Sequence, residues 1–271
     1  MAEDFQVMGV VNVTPDSFSD GGLFSDARAA VQHGRQLVHD GADILDVGGE
    51  STRPGADPVG LDEELRRVIP VVEALAADGH AVSVDTSKAA VAERALAAGA
   101  SLVNDVTALR ADERMVEVVA SADCRCCLMH MRGEPRTMQD APRYGDVVGE
   151  VAAFLLERIA FAGEHGIAAE RLLVDPGIGF GKTVRHNLEL LAGLPRIVAL
   201  GPPVLVGTSR KGFLGTLVSG PDRPLPPPDE RLAGTIATNV LAFERGARVF
   251  RVHDVAAVHD ALTIAAATLA P

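Results

Sequence analysis

The chain has 271 residues, of which 47% are hydrophobic and 23% are charged, and its formal net charge is −12. These values are typical of a globular protein, and the acidic balance disfavours nucleic acid and anionic membrane surfaces as partners. The sequence has no apolar run of about 18 residues, so no membrane-spanning helix is expected. The first residues, Met1 to Val7, include two acids and no basic segment. We therefore expect a cytoplasmic protein without a secretory signal.

Eight short apolar segments alternate with amphipathic helical segments along the chain. There is no Trp, one Tyr and nine Phe, so the core must be aliphatic, which suits parallel strands buried on both faces. Eight such units favour a single-domain (β/α)8 TIM barrel that spans residues 1–271, and a doubly wound open sheet is the alternative. The predicted strands are Gln6–Val13, Ile44–Val47, Ala81–Asp85, Leu102–Val106, Cys126–His130, Leu172–Asp175, Val204–Thr208 and Val249–Val252.

Glycine and proline mark the predicted ends of several helices. Gly99, Gly166 and Gly246 stand where helices should end. The proline-rich segment Ser219–Asp229 predicts a stiff surface loop, and Asp229 is a candidate N-cap for the helix that follows.

Three cysteines lie within four positions, at Cys124, Cys126 and Cys127. Buried reduced thiols are the simpler interpretation. A metal site that also uses His130 is the alternative, although the spacing matches no standard zinc pattern.

Polar residues stand at the ends of all eight predicted strands. The carboxyl ends of the strands carry the chemistry in a TIM barrel. A single Asp or Asn there is ordinarily a helix cap or a loop residue, but capping alone would not also require Arg, Lys and His. The polar residues are Asn12, Thr14, Asp46, Asp85, Asn104, Asp105, His130, Asp175, Ser209, Arg210, Lys211, Arg251 and His253.

Basic residues at these ends predict a phosphate site. Arg251 and His253 are two residues apart, so both point to the same side of a strand. With Lys211 and Arg53 they would form a cationic cluster suited to phosphate. An ion pair between Arg251 and a barrel aspartate is the rival interpretation.

Acceptor groups predict a second kind of surface. Asp85, Asp175 and the amide of Asn104 could accept hydrogen bonds from the N–H groups of a 2-amino-4-oxo-pyrimidine ring. Purines and pterins both carry this edge, so residue chemistry does not choose between them. Two segments rich in Gly, Pro, Ser and Asp, Thr14–Phe24 and Glu50–Val59, are longer than usual connecting loops and are predicted to act as lids.

The ordered motifs of the chain resemble those of dihydropteroate synthases. The first two are GVVNVTPDSFSDGG (Gly9–Gly22) and DVGGESTRPGA (Asp46–Ala56). VSVDT, VNDV, LMHMRGEPRTMQ, DPGIGFGKT, GTSRKGFLG and FRVHD follow in the family's order, and the resemblance covers roughly Val7 to Ala265. It implies a TIM barrel that condenses 6-hydroxymethyl-7,8-dihydropterin pyrophosphate with 4-aminobenzoate, giving dihydropteroate and pyrophosphate for folate synthesis. Sulfonamides compete for the aminobenzoate site in this family.

The resemblance also implies roles for individual residues. The pterin ring would be held by Asp85, Asn104, Asp175 and Lys211. The pyrophosphate would be bound by Asn12, Arg251 and His253, with Asn12 also coordinating Mg2+ and Asp20 ordering nearby. The aminobenzoate site would be framed by Phe18, Thr52, Pro54, Phe180 and the turn Ser209–Gly212. Some relatives have Ser where this chain has Gly212, so a hydroxyl contact to the aminobenzoate carboxylate would be missing.

Cleavage of the pterin C–O bond is expected to run ahead of attack by the amine, giving a carbocation delocalised over the dihydropterin. A covalent enzyme intermediate is not expected, because the sequence shows no Ser-His or Cys-His nucleophile at a matching location. Catalysis would rest on Asp85, Asp175, Lys211, Arg251 and His253. Family members usually dimerise through late helices, and the apolar stripes in Ile236–Phe243 and Val255–Leu269 allow a homodimer. A folate–corrinoid methyltransferase and a catalytically silent pterin-binding paralogue are the competing interpretations. Neither needs the lid motifs together with the paired Arg251 and His253.

Overall fold

The computed structural model describes residues 5–13, 23–51, 55–134 and 136–269, with side chains of the first helix described from residue 27. Parallel strands and α-helices alternate through this part of the chain. The strands are β1 Gln6–Asn12, β2 Ile44–Gly48, β3 Val82–Asp85, β4 Leu102–Asp105, β5 Arg125–Met129, β6 Leu172–Asp175, β7 Leu205–Val206 and β8 Val249–Val252. The helices are α1 Leu23–His39, α2 Leu61–Ala77, α3 Ala89–Ala97, α4 Met115–Ser121, α5 Val147–Glu164, α6 Val184–Ala192, α7 Leu194–Val198, α8 Gly212–Val218, α9 Leu232–Glu244 and α10 Val255–Leu269.

The eight strands form a barrel. They are hydrogen-bonded in the order β6-β5-β4-β3-β2-β1-β8-β7, so β1 lies between β2 and β8. A parallel bridge between Val174 and Val204 joins the two outer strands, and the Val174 N–H donates to the Pro203 carbonyl oxygen at 3.1 Å. The predicted TIM barrel is therefore confirmed, and the doubly wound open sheet is wrong.

All eight predicted strands form, and the differences lie at their ends. The ladder of β7 is limited to Leu205–Val206, because the chain from Gly207 already leads into the turn before α8. Gly99, Gly166 and Gly246 follow α3, α5 and α9 with φ of +106°, +85° and +100°, a region that favours glycine.

The start predicted for α9 is wrong. The helix is preceded by a 3-10 turn over Pro228–Arg231, and its N-cap is Arg231, which makes no side-chain capping bond. Asp229 lies within that turn, because Pro228 starts it with the φ that proline imposes.

The inside of the barrel contains two layers of side chains. Residues two apart on a strand point to the same side. The lower layer is apolar and fully or almost fully buried, and it consists of Met8, Ile44, Leu102, Cys127, Leu173, Leu205 and Val249. Two residues further along four of these strands stand Asp46, Asn104, Asp175 and Arg251, and Asp85 pairs in register with Asn104. We call these five residues the upper layer.

The opposite faces of the strands pack against the helices in one large aliphatic core. Val47, Val84, Val103, Leu128 and Val174 belong to it. No helix among the described residues combines the length and apolar character needed to span a bilayer.

The three cysteines are free and buried, as the simpler interpretation predicted. Cys124 and Cys126 face the outer core, whereas Cys127 belongs to the lower layer. Burial raises the pKa of all three thiols. Within the described ranges, no group of three His, Cys, Asp or Glu side chains is placed to hold a metal ion, so the hypothesis of a Cys–His130 metal site is wrong.

Candidate active site

Arg251 connects two aspartates across the upper layer. Its Nε donates to Asp46 Oδ2 at 2.6 Å, and its Nη2 donates to Asp85 Oδ2 at 2.8 Å. The ion pair that was the rival interpretation of Arg251 is thus present. Because the Arg251 side chain is still 24% exposed, the pairing does not remove it from the barrel mouth.

Asp46 also fixes the orientation of Asn104. Asp46 Oδ2 accepts a second hydrogen bond from Asn104 Nδ2 at 3.1 Å. An ionised carboxylate only accepts hydrogen bonds, so the NH2 group of Asn104 faces Asp46 and the amide oxygen faces away from it. Asp46 was recognised as a strand-end residue, but the sequence assigned it no role. Its contacts with Arg251 and Asn104 make it the link between the two sides of the layer.

The two remaining carboxylates of the layer are almost completely buried. Asp175 is 6% exposed, and its Oδ1 accepts a hydrogen bond from the Gly177 N–H at 2.7 Å. Burial raises the pKa of Asp175, whereas Lys211 opposes that rise. Burial likewise raises the pKa of Asp85, and the Arg251 guanidinium opposes it. These sites can accept hydrogen bonds from a ligand in a poorly hydrated environment.

Lys211 reaches the same region from the turn before α8. Its Nζ donates to the Ile178 carbonyl oxygen and lies 4.6 Å from the centre of the Phe180 ring. Burial lowers the pKa of Lys211 to about 8, while Asp175 opposes that change.

The neighbouring Arg210 takes part in a different contact. It has a φ of +59°, and its guanidinium forms a forked ion pair with Asp254 at 2.9 and 2.5 Å. Lys211 is therefore the residue of this Ser-Arg-Lys turn that lies against Phe180.

His253 is held by Ser209. The Ser209 hydroxyl accepts a hydrogen bond from the backbone N–H of His253 at 3.1 Å and lies 3.0 Å from its Nδ1. The turn of Ser209 thus sets the position of a histidine two residues beyond Arg251.

The structure brings most of the described candidates to one end of the barrel. Asp85, Asn104, Asp175 and Arg251 share the upper layer, and Asn12 ends β1 beside them. Lys211, Phe180 and His253 border the same mouth. Asp105 turns the other way and accepts hydrogen bonds from the Thr107 and Leu109 N–H groups at 2.8 and 2.7 Å, so it stabilises a turn. Outside the described residues lie Phe18, Asp20, Thr52, Arg53 and Pro54, together with most of the first predicted lid.

A second buried cluster supports the start of the Glu50 loop. Glu64 of α2 is completely buried and accepts a hydrogen bond from Thr86 Oγ1 at 2.6 Å. Lys88 forms ion pairs with both Glu64 and Glu50. This cluster was not anticipated, because its members come from three separate segments of the sequence.

Lys182 was also missed. It was quoted within a motif but given no role, and it is only 3% exposed. Its Nζ lies 3.0 Å from His130 Nδ1, a residue 52 positions away in sequence. Burial lowers the pKa of Lys182 to about 7 and that of His130 to about 3. Only the spatial proximity of the ends of β5 and β6 reveals this contact.

Comparison with known proteins agrees with this geometry. The family model described as pterin binding enzyme matches residues 8–253. Dihydropteroate synthase of Escherichia coli strain K12 is 47% identical over 264 residues, which cover 97% of this chain and 91% of the relative.

Two solved structures of Xanthomonas albilineans dihydropteroate synthase are also similar. The complex with 4-aminobenzoic acid has a TM-score of 0.90 and 53% identity, and the alignment covers 98% of this chain and 93% of the other. The complex with 7,8-dihydropteroate has a TM-score of 0.87 and 50% identity, with 98% and 94% covered. The chain belongs to the family of pterin-binding enzymes.

Proposed function

We propose that the chain is a dihydropteroate synthase. It joins 6-hydroxymethyl-7,8-dihydropterin pyrophosphate to 4-aminobenzoate and releases pyrophosphate. One observation carries the proposal: buried acceptors for a pterin edge and the Arg251 guanidinium meet in a single upper layer, where Arg251 lies 2.8 Å from Asp85. The relatives whose structures contain 4-aminobenzoic acid and 7,8-dihydropteroate share about half of this sequence over nearly its full length.

The pterin ring would occupy the space above Asp175 and Asn104. The Asp175 carboxylate would accept hydrogen bonds from the 2-amino group and the adjacent ring N–H. The Asn104 amide oxygen, turned away from Asp46, would accept from another ring N–H, with Asp85 beside it. Lys211 would donate to the pterin carbonyl and a ring nitrogen. A flat heterocycle is thereby selected through paired donors and acceptors.

The pyrophosphate would lie towards β1 and β8. Arg251 has five N–H donors, of which two are directed at Asp46 and Asp85, so others can bind phosphate oxygens. The negative charges of Asp46 and Asp85 offset the positive charge of Arg251. Its contribution to pyrophosphate binding would therefore come mainly from hydrogen-bond donors held in a fixed orientation. His253 would donate a further hydrogen bond to a phosphate oxygen.

Asn12 fits a Mg2+ site that depends on the substrate. It ends β1, next to the strand that carries Arg251. Mg2+ usually keeps several waters and is held by one or two protein carboxylates together with substrate phosphates. The Asn12 amide oxygen would supply one ligand here, and the pyrophosphate and water would supply the others. When bound, the ion would neutralise charge on the pyrophosphate. Asp20 would order around this end.

The aminobenzoate would lie against Phe180 and the turn Ser209–Gly212. Lys211 links the two substrate regions, because it lies against the Phe180 ring. Phe18, Thr52, Arg53 and Pro54 would complete this side of the site. Sulfonamides are expected to compete here.

The reaction would proceed by cleavage of the C–O bond before the amine attacks. Asp85 and Asp175 would stabilise positive charge on the dihydropterin by Coulomb attraction in a site of low polarity. Arg251 and His253 would stabilise the leaving oxygen with donors already in place. We expect the bridging oxygen label to scramble in the absence of 4-aminobenzoate, which positional isotope exchange measures. Strict dependence of scrambling on the amine would contradict this order.

Cytoplasmic location and dimerisation complete the proposal. Three buried free thiols suit a reducing compartment. Helices α9 and α10 carry Leu241, Ile264 and Leu269, which are 42%, 68% and 55% exposed and offer an apolar surface to a second copy.

The proposal is tested by incubating purified protein with the pterin pyrophosphate, 4-aminobenzoate and Mg2+. We expect dihydropteroate and pyrophosphate in equal amounts, and almost no product from Arg251→Ala. A folded wild-type protein that binds pterin but forms neither product would favour the silent paralogue. Methyl transfer from a methylated folate to a corrinoid acceptor would favour the methyltransferase.

A further inference from the structure

Lys182 lies at the end of the loop that connects β6 to α6. Three acceptors surround its Nζ: His130 Nδ1 at 3.0 Å, the Phe180 carbonyl oxygen at 3.0 Å and the His130 carbonyl oxygen at 3.4 Å. An ammonium has three donors and no acceptor, so each N–H can be satisfied. The side chain therefore joins its own loop to the residue that follows β5.

The backbone at this junction is closely packed. Gly177 has a φ of +66°, and a Cβ there would lie 1.9 Å from the His130 carbonyl oxygen. Gly181 has a φ of +62°, and a Cβ there would lie 2.3 Å from the Arg132 carbonyl oxygen. The loop thus lies directly on the chain that leaves β5, and Lys182 fixes it there.

The same loop supports Lys211. The Ile178 carbonyl oxygen accepts a hydrogen bond from Lys211 Nζ, and Phe180 places its ring beside that Nζ. A Cβ on Gly179 would lie 3.0 Å from Lys211 Cδ, so the Lys211 chain runs along the loop surface. A shift of the loop would therefore move both the ring and the carbonyl that position Lys211.

His130 is suited to act as the fixed end of this connection. Its ring packs edge-on against Phe154 at a centroid distance of 4.9 Å, and its backbone N–H donates to the Asp175 carbonyl oxygen at 3.0 Å. Burial keeps the imidazole neutral, so Nδ1 can accept the Lys182 hydrogen bond.

We propose that Lys182 and His130 are positioning residues: their contact holds the β6–α6 loop against β5 and thereby sets Phe180 and Lys211 at the geometry that 4-aminobenzoate requires. This inference rests on the proposed synthase activity for its kinetic test. Both residues lie outside the upper layer, and the contacts of the Lys182 Nζ are with His130 and Phe180. The pterin acceptors Asp175 and Asn104 are on strands, so the loop acts on the pterin mainly through Lys211. 4-Aminobenzoate would depend on both Phe180 and Lys211, so we expect the loop to affect it more strongly.

The test compares Lys182→Met, His130→Leu and His130→Asn in the full-length chain. Methionine keeps the length of lysine without donors, and leucine removes the imidazole acceptor. Asparagine restores an acceptor oxygen near the position of Nδ1. The matched control is Val72→Ala in α2, a fully buried outer-core position that loses packing without touching the loop.

We expect the KM for 4-aminobenzoate to rise about tenfold in Lys182→Met and His130→Leu, with a smaller rise, of about threefold, in the KM for the pterin pyrophosphate because Lys211 also contacts the pterin. His130→Asn should remain within about threefold of wild type for both substrates, and Val72→Ala should change neither KM. Hydrogen exchange of the 177–181 amides should be faster in Lys182→Met and His130→Leu only.

Two results would overturn the inference. One is an unchanged KM for 4-aminobenzoate and unchanged exchange in both disruptive variants, with thermal stability alone reduced. The other is equal damage from His130→Leu and His130→Asn. If Lys182→Met does not fold, the two His130 variants decide. A wild-type protein that forms no dihydropteroate refutes the proposed function instead, and the exchange measurement still tests the connection.

Discussion

The two layers inside the barrel differ in chemistry although they are built on the same strands. Leu173 and Asp175 are two residues apart on β6, and Val249 and Arg251 are two apart on β8. The lower residues fill the barrel and contribute burial, whereas the upper ones meet in ion pairs and hydrogen bonds. A period of two residues thus separates stability from chemistry within a single strand.

This separation predicts that upper-layer substitutions impair activity and lower-layer substitutions impair stability. The largest effect is expected for Arg251→Ala, which removes the donors for pyrophosphate and leaves Asp46 and Asp85 without their cation. We expect kcat/KM to fall by about 10³-fold or more, as for loss of a group that stabilises developing charge.

The stability of Arg251→Ala should be measured by chemical denaturation alongside its kinetics. Removing one partner of a buried ion pair typically lowers the free energy of unfolding by about 3–5 kcal/mol. Arg251→Lys, which keeps the charge but not the fork, serves as the control and should recover part of the activity. A kcat/KM of Arg251→Ala that stays within about tenfold of the wild-type value would contradict the assigned role.

Leu173→Ala tests the lower layer. Leu173 is completely buried beneath Asp175, so truncation should lower the free energy of unfolding by about 2–5 kcal/mol through lost burial and a cavity. Both KM values should remain within about twofold of wild type when measured well below the unfolding temperature. A large kinetic change with unaltered stability would show that the layers are not separate.

The pH dependence of the pterin KM tests Lys211. Burial lowers the pKa of its ammonium to about 8, and Asp175 and Arg251 are the charged groups that act on it. The lysine is charged below that pH and neutral above it, so the donor to the pterin carbonyl weakens as pH rises. We expect the KM for the pterin substrate to increase above pH 8.

Lys211→Met should raise that KM at pH 7 and remove its increase at alkaline pH. The same alkaline limb in this variant would assign the titration to another group.

Gly212→Ser is expected to have the smallest effect. A Cβ at Gly212 meets nothing within 4 Å, so serine fits at the start of α8 without strain. Its hydroxyl could bind the aminobenzoate carboxylate, and one such bond contributes about 1 kcal/mol, or about a fivefold lower KM. Gly212→Ala is the matched control and should leave the KM unchanged. An equal KM in all three proteins would mean that the carboxylate lies elsewhere.

The strands were predictable because both faces of each strand are buried, which produces unbroken runs of apolar residues such as Leu172–Val174. The convergence of Asp85, Asp175 and Arg251 followed from the rule that barrel chemistry lies at the carboxyl ends of strands. The contacts that individual side chains make were harder to predict from the sequence. Asp46 acts through Arg251, which is 205 positions away, and Lys182 acts through His130.

Adjacent residues also differ in the direction of their side chains, which the sequence did not indicate. Arg210 and Lys211 are adjacent, yet the positive φ of Arg210 directs one to Asp254 and the other to Phe180. Asn104 and Asp105 face opposite sides of β4, so only Asn104 belongs to the upper layer. Backbone geometry and pairing across the barrel, rather than residue type, decide these cases.

Binding of 6-hydroxymethylpterin by calorimetry tests the central claim most directly, with Asp175→Asn compared against Leu173→Ala. The amide keeps the shape of the carboxylate but presents an NH2 group to a ligand edge made of donors, so we expect affinity to fall by about 100-fold, or about 2.7 kcal/mol. Leu173→Ala should bind as wild type does. Undiminished binding by folded Asp175→Asn, or equal losses in both variants, would contradict the account.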